Sequence, residues 1–511
     1  MKIITNVKMP IDASIQDLKI KASKMANIKI DSVKHFKIKK KSLDARDKSR
    51  LKYVYTVEIS HKTENNSQFE YKKCKKQANV LVVGAGPAGL FCALDLLRYG
   101  HKVTLIERGK SVENRNKSIS SFISTRVLDE ESNIQFGEGG AGCFSDGKLN
   151  TGVNNEYVSR VISDFVEFGA PSEIEYLAKP HIGSDNWPTV IKNMRNRILE
   201  MGGRVLFETK FTDFSIENGC VKTVTFGNFK ESFDEVVLAV GHSAQDVYKL
   251  LNQKGVFLES KEFAVGLRIE HLAKDINESQ YGKDFKKYKN LPTADYKLVT
   301  SLNGRGAFTF CMCPGGYVMP SSSNKNTVVV NGMSNFKRNA ENSNSAVVVQ
   351  VKKSDFGLGV FDGLNYMNNL EQKAFILGGG DYSAPSMLVG DYLKGELSTN
   401  LGKVKPTYPL GVKNANLSNL FSKEIDETLK FAIRDMAKKI KCFDNYDAVL
   451  TGVESRTSSP IRVTRTENGS SVTLSNLYPC GEGCGYAGGI TSAGADGKKI
   501  AKFINLKYGE E

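Results

Sequence analysis

No two cysteines in this sequence stand at CxxC spacing, and none of its six histidines falls at ligand spacing from another histidine or a cysteine. The nine cysteines are scattered and odd in number. Neither a disulfide framework nor a metal centre is therefore expected, and reduced thiols are. No apolar run is long enough to span a bilayer, and the opening MKIITNVKMP lacks the apolar core of a signal peptide. A cytoplasmic protein with no membrane span is the expectation. A second GxGxxG in strand context is also missing: Gly357-Leu358-Gly359 has neither a strand before it nor a helix after it. No dedicated NAD(P)H domain is expected, and no internal repeat is evident. Acidic residues are outnumbered, 56 Asp and Glu against 71 Lys and Arg, for a net charge of +15. Much of the excess lies in Lys34 to Lys41 and in Lys72, Lys73, Lys75 and Lys76. Such clusters read first as a solvated face and a charged linker, and second as a grip on nucleic acid.

What is present centres on Val80 to Gly109, VLVVGAGPAGLFCALDLLRYGHKVTLIERG. The apolar run Val80–Val83 stops at Gly84-Ala85-Gly86-Pro87-Ala88-Gly89, a helical pattern follows, and a second apolar run ends at Glu107. Strand, tight turn, helix and strand closed by an acid is the dinucleotide-binding pattern. Gly84 lets the chain leave the strand, Gly86 lets a pyrophosphate approach the backbone, and Gly89 lets the helix lie close on the strand. The helix dipole and first-turn amides favour phosphate. Glu107 stands where a carboxylate bonds both ribose hydroxyls and repels a 2′-phosphate.

In chain order, residues 1 to about 61 read as a small βαββ unit, with Ser14 and Asp17 spaced as a capping box before a helix to Met25. Lys62 to Gln77 reads as a linker. Gln135 to Asn150 holds glycines interleaved with Phe136, Phe144 and Leu149 and reads as a ligand-facing loop. Helices are expected over Tyr157–Phe168 and Val190–Met201. A strand follows from Arg204 through Phe211, and another over Asp234–Gly241. From about Lys254 to Phe443, short strand-like pieces predict a β-rich cap, with a late helix from Lys423 that Ser422 caps. The chain then returns to glycine in YPCGEGCGYAGGI, Tyr478 to Ile490, ahead of another helix. Two glycine-rich anion sites at opposite ends of the chain suggest one long cofactor held by both, which FAD is.

These segments resemble the family of uncharacterised bacterial FAD-dependent dehydrogenases, related to flavoproteins of the glutathione-reductase type. The resemblance rests on FGEGGAGCFSDGKLN (Phe136 to Asn150), KPHIGSD (Lys179 to Asp185), AVGHSAQD (Ala239 to Asp246), FAVGLRIEH (Phe263 to His271), FCMCPGGYV (Phe310 to Val318), GVESRTSSPIR (Gly452 to Arg462), YPCGEGCGYAGGITSAGADG (Tyr478 to Gly497) and SLDAR (Ser42 to Arg46). It covers nearly the whole chain and departs at Cys484, where the family more often carries alanine. It implies an α/β fold with a Rossmann-like FAD-binding domain in 78–253 and 444–511. A substrate cap over 254–443 and an N-terminal module with linker over 1–77 complete the arrangement. It implies that Gly84, Gly86, Pro87, Ala88 and Gly89 hold the pyrophosphate and that Glu107, beside Arg108, holds the ribose. Phe211 would bond the adenine through its backbone, Gly241 lie beside FAD, and Gly481, Glu482, Gly489 and Ile490 line the ribityl chain and flavin.

Catalytic candidates are thinner. Glu454, Arg456, Thr457, Ser458 and Arg462 read either as a clamp for an acidic substrate or as a buried ion-pair network. Cys480 is a redox candidate beside the flavin segment. Cys311 and Cys313 flank Met312 and, on a regular strand, would point to one face for packing. His181, His242 and His271 read mainly as structural. The expected function is hydride transfer between FAD and a small organic substrate, with NADH or NADPH as a transient reductant. The alternatives are an RNA-modifying flavoprotein and a non-catalytic flavin-binding protein. Oligomeric state is not read from the sequence.

Overall fold

The computed structural model describes residues 1–63, 69–153 and 155–510; part of the linker expected over 62–77 lies outside the described residues. Five short strands form a parallel sheet in the order Leu477–Pro479, Glu235–Leu238, Asn79–Val83, Lys102–Ile106, Arg204–Leu206. A parallel sheet needs cover on both faces, which is why Val80–Val83 is apolar throughout. Val80 and Val82 face a core completed by the helices Pro87–Tyr99, Glu156–Glu167, Trp187–Glu200 and Ile490–Lys507. Leu81 and Val83 face the other way, onto an antiparallel sheet of Phe211–Glu217, Cys220–Phe226 and Phe229–Glu231.

The strand expected to run from Arg204 through Phe211 is broken. It ends at Leu206, Glu208 turns the chain at φ 52°, and Phe211 opens the antiparallel sheet instead. The turn is fixed by two main-chain bonds, from Glu208 N to Gly109 O (3.0 Å) and from Thr209 N to Glu107 O (2.9 Å).

The first and last helices of this unit pack unusually close. A Cβ at Gly497 would stand 2.1 Å from the Ala88 carbonyl oxygen, and one at Gly494 2.6 Å from the Phe91 ring. An ion network centred on fully buried Lys498 and Asp95 locks the pair. Lys498 Nζ donates to Asp95 (2.9 Å) and to Asp164, and Arg98 and Arg160 close on the same carboxylates.

The cap is a seven-stranded sheet in the order Val299–Leu302, Arg305–Cys313, Asn342–Val351, Phe263–Leu272, Val449–Glu454, Ala384–Leu388, Val412–Asn414. All its pairings are antiparallel except the last. Val449–Glu454 therefore sits inside the cap sheet, past the boundary that composition suggested at residue 443. It pairs with Phe263–Leu272 and Ala384–Leu388, contacts that no local pattern announces. The expected helix is present as Lys423–Ala437, with Ser422 Oγ accepting from Ile425 N.

The N-terminal unit has the expected elements. Lys2–Pro10, His35–Asp44 and Lys52–Ser60 form a three-stranded antiparallel sheet with Lys52–Ser60 in the centre, and the Ser14–Asp17 capping box opens the helix Ile15–Ala26. It is not detached. Val7, Met9, Leu18, Tyr53 and Val57 belong to the same apolar core as the cap. Tyr53 Oη donates to Asn290 O at 2.9 Å, and Lys41 N to Tyr176 O at 2.7 Å. Among the described residues no helix is long and apolar enough to cross a membrane.

Candidate functional site

One elongated cleft, enclosing about 1700 Å³ with its solvent, runs from the first glycine turn to the cap. Both ends of the chain line it, through Gly84, Gly86, Pro87 and Ala88 on one side and Glu482, Gly489 and Ile490 on the other. The helices Pro87–Tyr99 and Ile490–Lys507 both start at this cleft. Their N-caps are Gly86 and Gly489, and neither start has a side-chain cap among the described residues. Unpaired first-turn amides at two helix starts suit an anion laid between them.

The three glycines of the turn do different work. Gly84 is at φ 104°, and a Cβ there would meet Ala239 O at 2.4 Å. At Gly89 a Cβ would lie 1.8 Å from Gly84 O, so this residue sets the approach of helix to turn and is not part of the cleft lining. At Gly86 the nearest described atom would be Gly140 Cα at 3.8 Å, so the space above that backbone is open.

Glu107 ties the turn to the glycine loop. Its Oε1 accepts from Gly109 N (2.9 Å) and Gly137 N (3.0 Å), and its Oε2 accepts from Ala85 N (2.8 Å). A carboxylate has about four acceptor sites, so one on Oε2 is left for a hydroxyl in the cleft. Arg108 lies over the Phe136 ring at 4.4 Å and bonds Asp246 at 2.9 Å. The loop itself is built on Arg115, which the sequence reading passed over. Fully buried, its guanidinium donates to the carbonyls of Asn133, Ile134, Gly137, Glu138 and Gly140 at 2.7–3.2 Å.

At the far end, Gly481 takes φ 77° and its N–H donates to Asp496 Oδ2 at 2.8 Å, which positions Glu482 beside His242. Gly481 is a turn residue behind the lining, whereas Glu482 faces the cleft. Burial pushes the Glu482 carboxyl up to about 7, opposed by Lys261. Burial, with Arg456 nearby, pushes His242 down to about 3, so its imidazole is neutral. Raised above its unfolded value, Glu482 contributes stability that is complete below about pH 4.3 and lost as pH rises through about 7. Flavin-free protein is therefore expected to lose on the order of 2 kcal/mol across that window through this residue. Glu138, also pushed up to about 7 by burial, shifts stability the same way. Denaturant titrations at the two ends of the window check this: Glu482→Gln should flatten part of the slope, and an unaltered slope would exclude Glu482 as its source.

Of the catalytic candidates, Arg456 lines the cleft but is fully engaged. It forms a fork with Glu371 at 2.8 and 2.9 Å and donates through Nη1 to Ser243 (3.0 Å) and Ser323 (2.6 Å). Glu454 is outside the lining, buried against Arg268 at 2.9 and 3.0 Å. Of the two readings weighed for this cluster, the ion-pair network is the geometry found. Cys480 lines the cleft but is fully buried, and burial pushes its thiol well up. His181 and His271 bond the carbonyls of Phe336 and Phe443, each at 2.9 Å. Phe211 and Gly241 both reach the cleft. Sequence reasoning missed Ser243, Phe310 and Asn331 as lining residues, whereas Gln135 and Lys148 fall within the loop it read as ligand-facing. Only the glycine-rich context of the loop signalled Gln135 and Lys148.

Family models match much of the chain. A model described as FAD-dependent protein, C-terminal domain-like, matches residues 262–457. A pyridine nucleotide-disulphide oxidoreductase model matches 78–279, and a domain of unknown function matches 1–60. Fold and matched models together define an FAD-dependent protein of the oxidoreductase class. An uncharacterized protein of Clostridium beijerinckii (strain ATCC 51743 / NCIMB 8052) is 39% identical over 526 residues, covering 99% of this chain and 98% of that one. The chain belongs to that family of FAD-dependent proteins. Among solved structures it is similar to glycine oxidase from Bacillus cereus ATCC 14579 (11% identity, 84% of this chain and 96% of that one, TM-score 0.34). It is likewise similar to L-proline dehydrogenase from P. horikoshii (12%, 84% and 94%, TM-score 0.36). Likenesses this remote carry no argument about activity.

Proposed function

We propose that this protein is an FAD-dependent oxidoreductase of the glutathione-reductase arrangement, moving a hydride between flavin and a small organic substrate. The observation that carries the reading is the single cleft in which two uncapped helix starts, from opposite ends of the chain, meet Glu107 and a wall of the cap. Residues 78–253 and the C-terminal segment hold the cofactor. Residues 254–443, with the strand Val449–Glu454, bear the substrate.

The residues fit FAD at each part of its length. The turn at Gly84, Gly86, Pro87, Ala88 and Gly89 holds the pyrophosphate, with the amides of Gly86 and Ala88 turned to it while Gly84 N is spent on Ile106 O (2.8 Å), and the helix start at Gly489 and Ile490 presents amides to the flavin edge. Glu107 accepts from the ribose, flanked by Arg108, and Phe211 offers backbone to the adenine. Gly241 leaves room beside the cofactor, and Gly481 turns Glu482 toward the ribityl hydroxyls. Bound FAD supplies the two-electron chemistry. The chain's own residues orient substrate and exclude water. Neutral His242, held by its 3.0 Å contact with Ser243, offers an uncharged donor or acceptor at the cap end.

Purified protein is expected to be yellow and to release FAD on denaturation. Mixed anaerobically with NADH or NADPH, a protein that bleaches takes its electrons from nicotinamide. One that stays yellow takes them from an organic donor or is not a nicotinamide-linked enzyme. A colourless protein that takes up no added FAD overturns the proposal.

A further inference from the structure

The permanent charges on the cleft wall at the cap end answer one another, with one left over among the described residues. Arg456 is forked on Glu371, and Asp146 on Arg338. His242 is neutral, and the cation acting on Glu482 is Lys261. Lys148 has no such partner. Its closest carboxylate oxygen is Asp146 Oδ2 at 3.7 Å, beyond hydrogen-bond reach. That carboxylate already accepts from Arg338 Nε at 2.9 Å, from Arg338 Nη2 and from Ser334 Oγ. The ammonium's three donors therefore meet no acceptor on the protein among the described residues.

Lys148 is also held in place. Its side chain is only 29% exposed and lines the cleft. The backbone on either side is pinned: Ile182 N donates to Gly147 O at 3.1 Å, and Leu149 N to Pro180 O at 3.0 Å. A solvated surface lysine has neither restraint.

A second unspent donor comes from a different element. Asn331 stands in the strand Val330–Met333 and lines the same cleft. Arg268 Nη2 at 3.2 Å and Gly332 N at 2.8 Å both donate to one atom of its amide, which must therefore be the oxygen. Arg268 is fully buried and forked on Glu454 at 2.9 and 3.0 Å, so this orientation is fixed. The amide nitrogen is left without an acceptor among the described residues. Asn331 precedes Ser334 by three residues and Lys148 follows Asp146 by two, so the Ser334–Asp146 bond keeps both donors at one end of the cleft. Phe310 supplies apolar wall there, half-buried against Ala264, Ala346 and Val348.

We propose that Lys148 and Asn331 form the anion subsite of the cleft and bind a carboxylate, so that the substrate is a small organic acid whose apolar part lies on Phe310. The inference rests on the cap end of the cleft bearing the substrate, as proposed above. Charge selects carboxylate over phosphate. One ammonium balances one negative charge, whereas a phosphate monoester carries about −1.5 to −2 and three strong acceptor oxygens. A carboxylate also matches the donors in kind, one charged and one neutral, each meeting an oxygen.

Benzoate and acetate are the probes, each beside its neutral amide, benzamide and acetamide. Binding to holoprotein is read by calorimetry, which needs no flavin signal, and the visible spectrum and FAD content are recorded on the same samples. Benzoate is expected to bind at least about ten-fold more tightly than benzamide. Lys148→Met should weaken benzoate by at least about ten-fold and leave benzamide within about two-fold. Asn331→Asp keeps the oxygen that serves Arg268 and Gly332 and turns the donor into a second oxygen, so it should weaken benzoate by a similar factor. Carboxylates that bind no better than their amides, or benzoate binding unchanged in Lys148→Met, overturn the proposal. A ligand-free flavin spectrum shifted by Lys148→Met, with benzoate affinity intact, assigns the ammonium to the flavin and overturns it too. Lys148-dependent benzoate binding by protein that takes up no FAD supports this inference and overturns the cofactor reading. FAD-loaded protein without preference for carboxylates overturns this inference alone.

Discussion

Gly86→Val is expected to abolish FAD retention while leaving the flavin-free fold as stable as wild type. The residue has φ −77° and ψ −178°, extended backbone that valine adopts readily. Its Cβ would have no described neighbour closer than 3.8 Å. The protein itself therefore has room for a β-carbon at this position, whereas a ligand lying on that backbone does not. Gly89→Ala makes the contrast. Its Cβ would fall 1.8 Å from the Gly84 carbonyl oxygen, so the helix must leave the turn. Overpacking a core costs about 1–3 kcal/mol where neighbours can shift, and more where the obstacle is backbone. Thermal unfolding of the apoproteins and FAD titration separate the two. Gly86→Val that still retains FAD would remove the pyrophosphate from this turn.

The second large effect is expected at Arg115. Arg115→Ala should destabilise the protein by at least about 4 kcal/mol and weaken FAD binding by at least about ten-fold. The guanidinium serves five carbonyls of residues 133–140, and no carboxylate accepts from it among the described residues. Each buried carbonyl left without a donor costs about 1–3 kcal/mol, less where water enters the space. The loss reaches the cofactor end because the loop holds the turn. Gly137 N donates to Glu107, and Gly139 N to the Ala85 carbonyl at 2.8 Å. Lysine should rescue little, since three donors on one nitrogen cannot span that arc of carbonyls. Denaturant unfolding with FAD titration checks both parts. A change under about 1 kcal/mol would mean that the loop orders itself without the arginine.

Part of this protein is decided by interactions a few residues long, and those parts were legible in the sequence. The turn at Gly84, Gly86 and Gly89, the capping box of Ser14 and Asp17, and the cap at Ser422 each depend on contacts within about one helical turn. The alternation that sends Val80 and Val82 to one core and Leu81 and Val83 to the other also follows from backbone geometry alone. A continuous apolar run announced that both faces would be covered. Glu107 was readable as a cleft residue because the strand before it fixes where its carboxylate falls.

The remainder required the tertiary structure, since its partners are far apart along the chain and follow no period. Arg268 meets Glu454 across 186 residues, and Arg456 meets Glu371 across 85, so their cluster motif could not reveal which charges were already neutralised. The strand Val449–Glu454 joined the cap because its hydrogen-bond partners lie there, although composition placed it with the C-terminal segment. Cys311 and Cys313 differ in exposure because the register breaks between Phe310 and Cys313, which interrupts the two-residue repeat of a strand. Local preference chose the elements and the cofactor turn. Long-range packing, where each buried charge or carbonyl must find a partner, chose what faces the cleft.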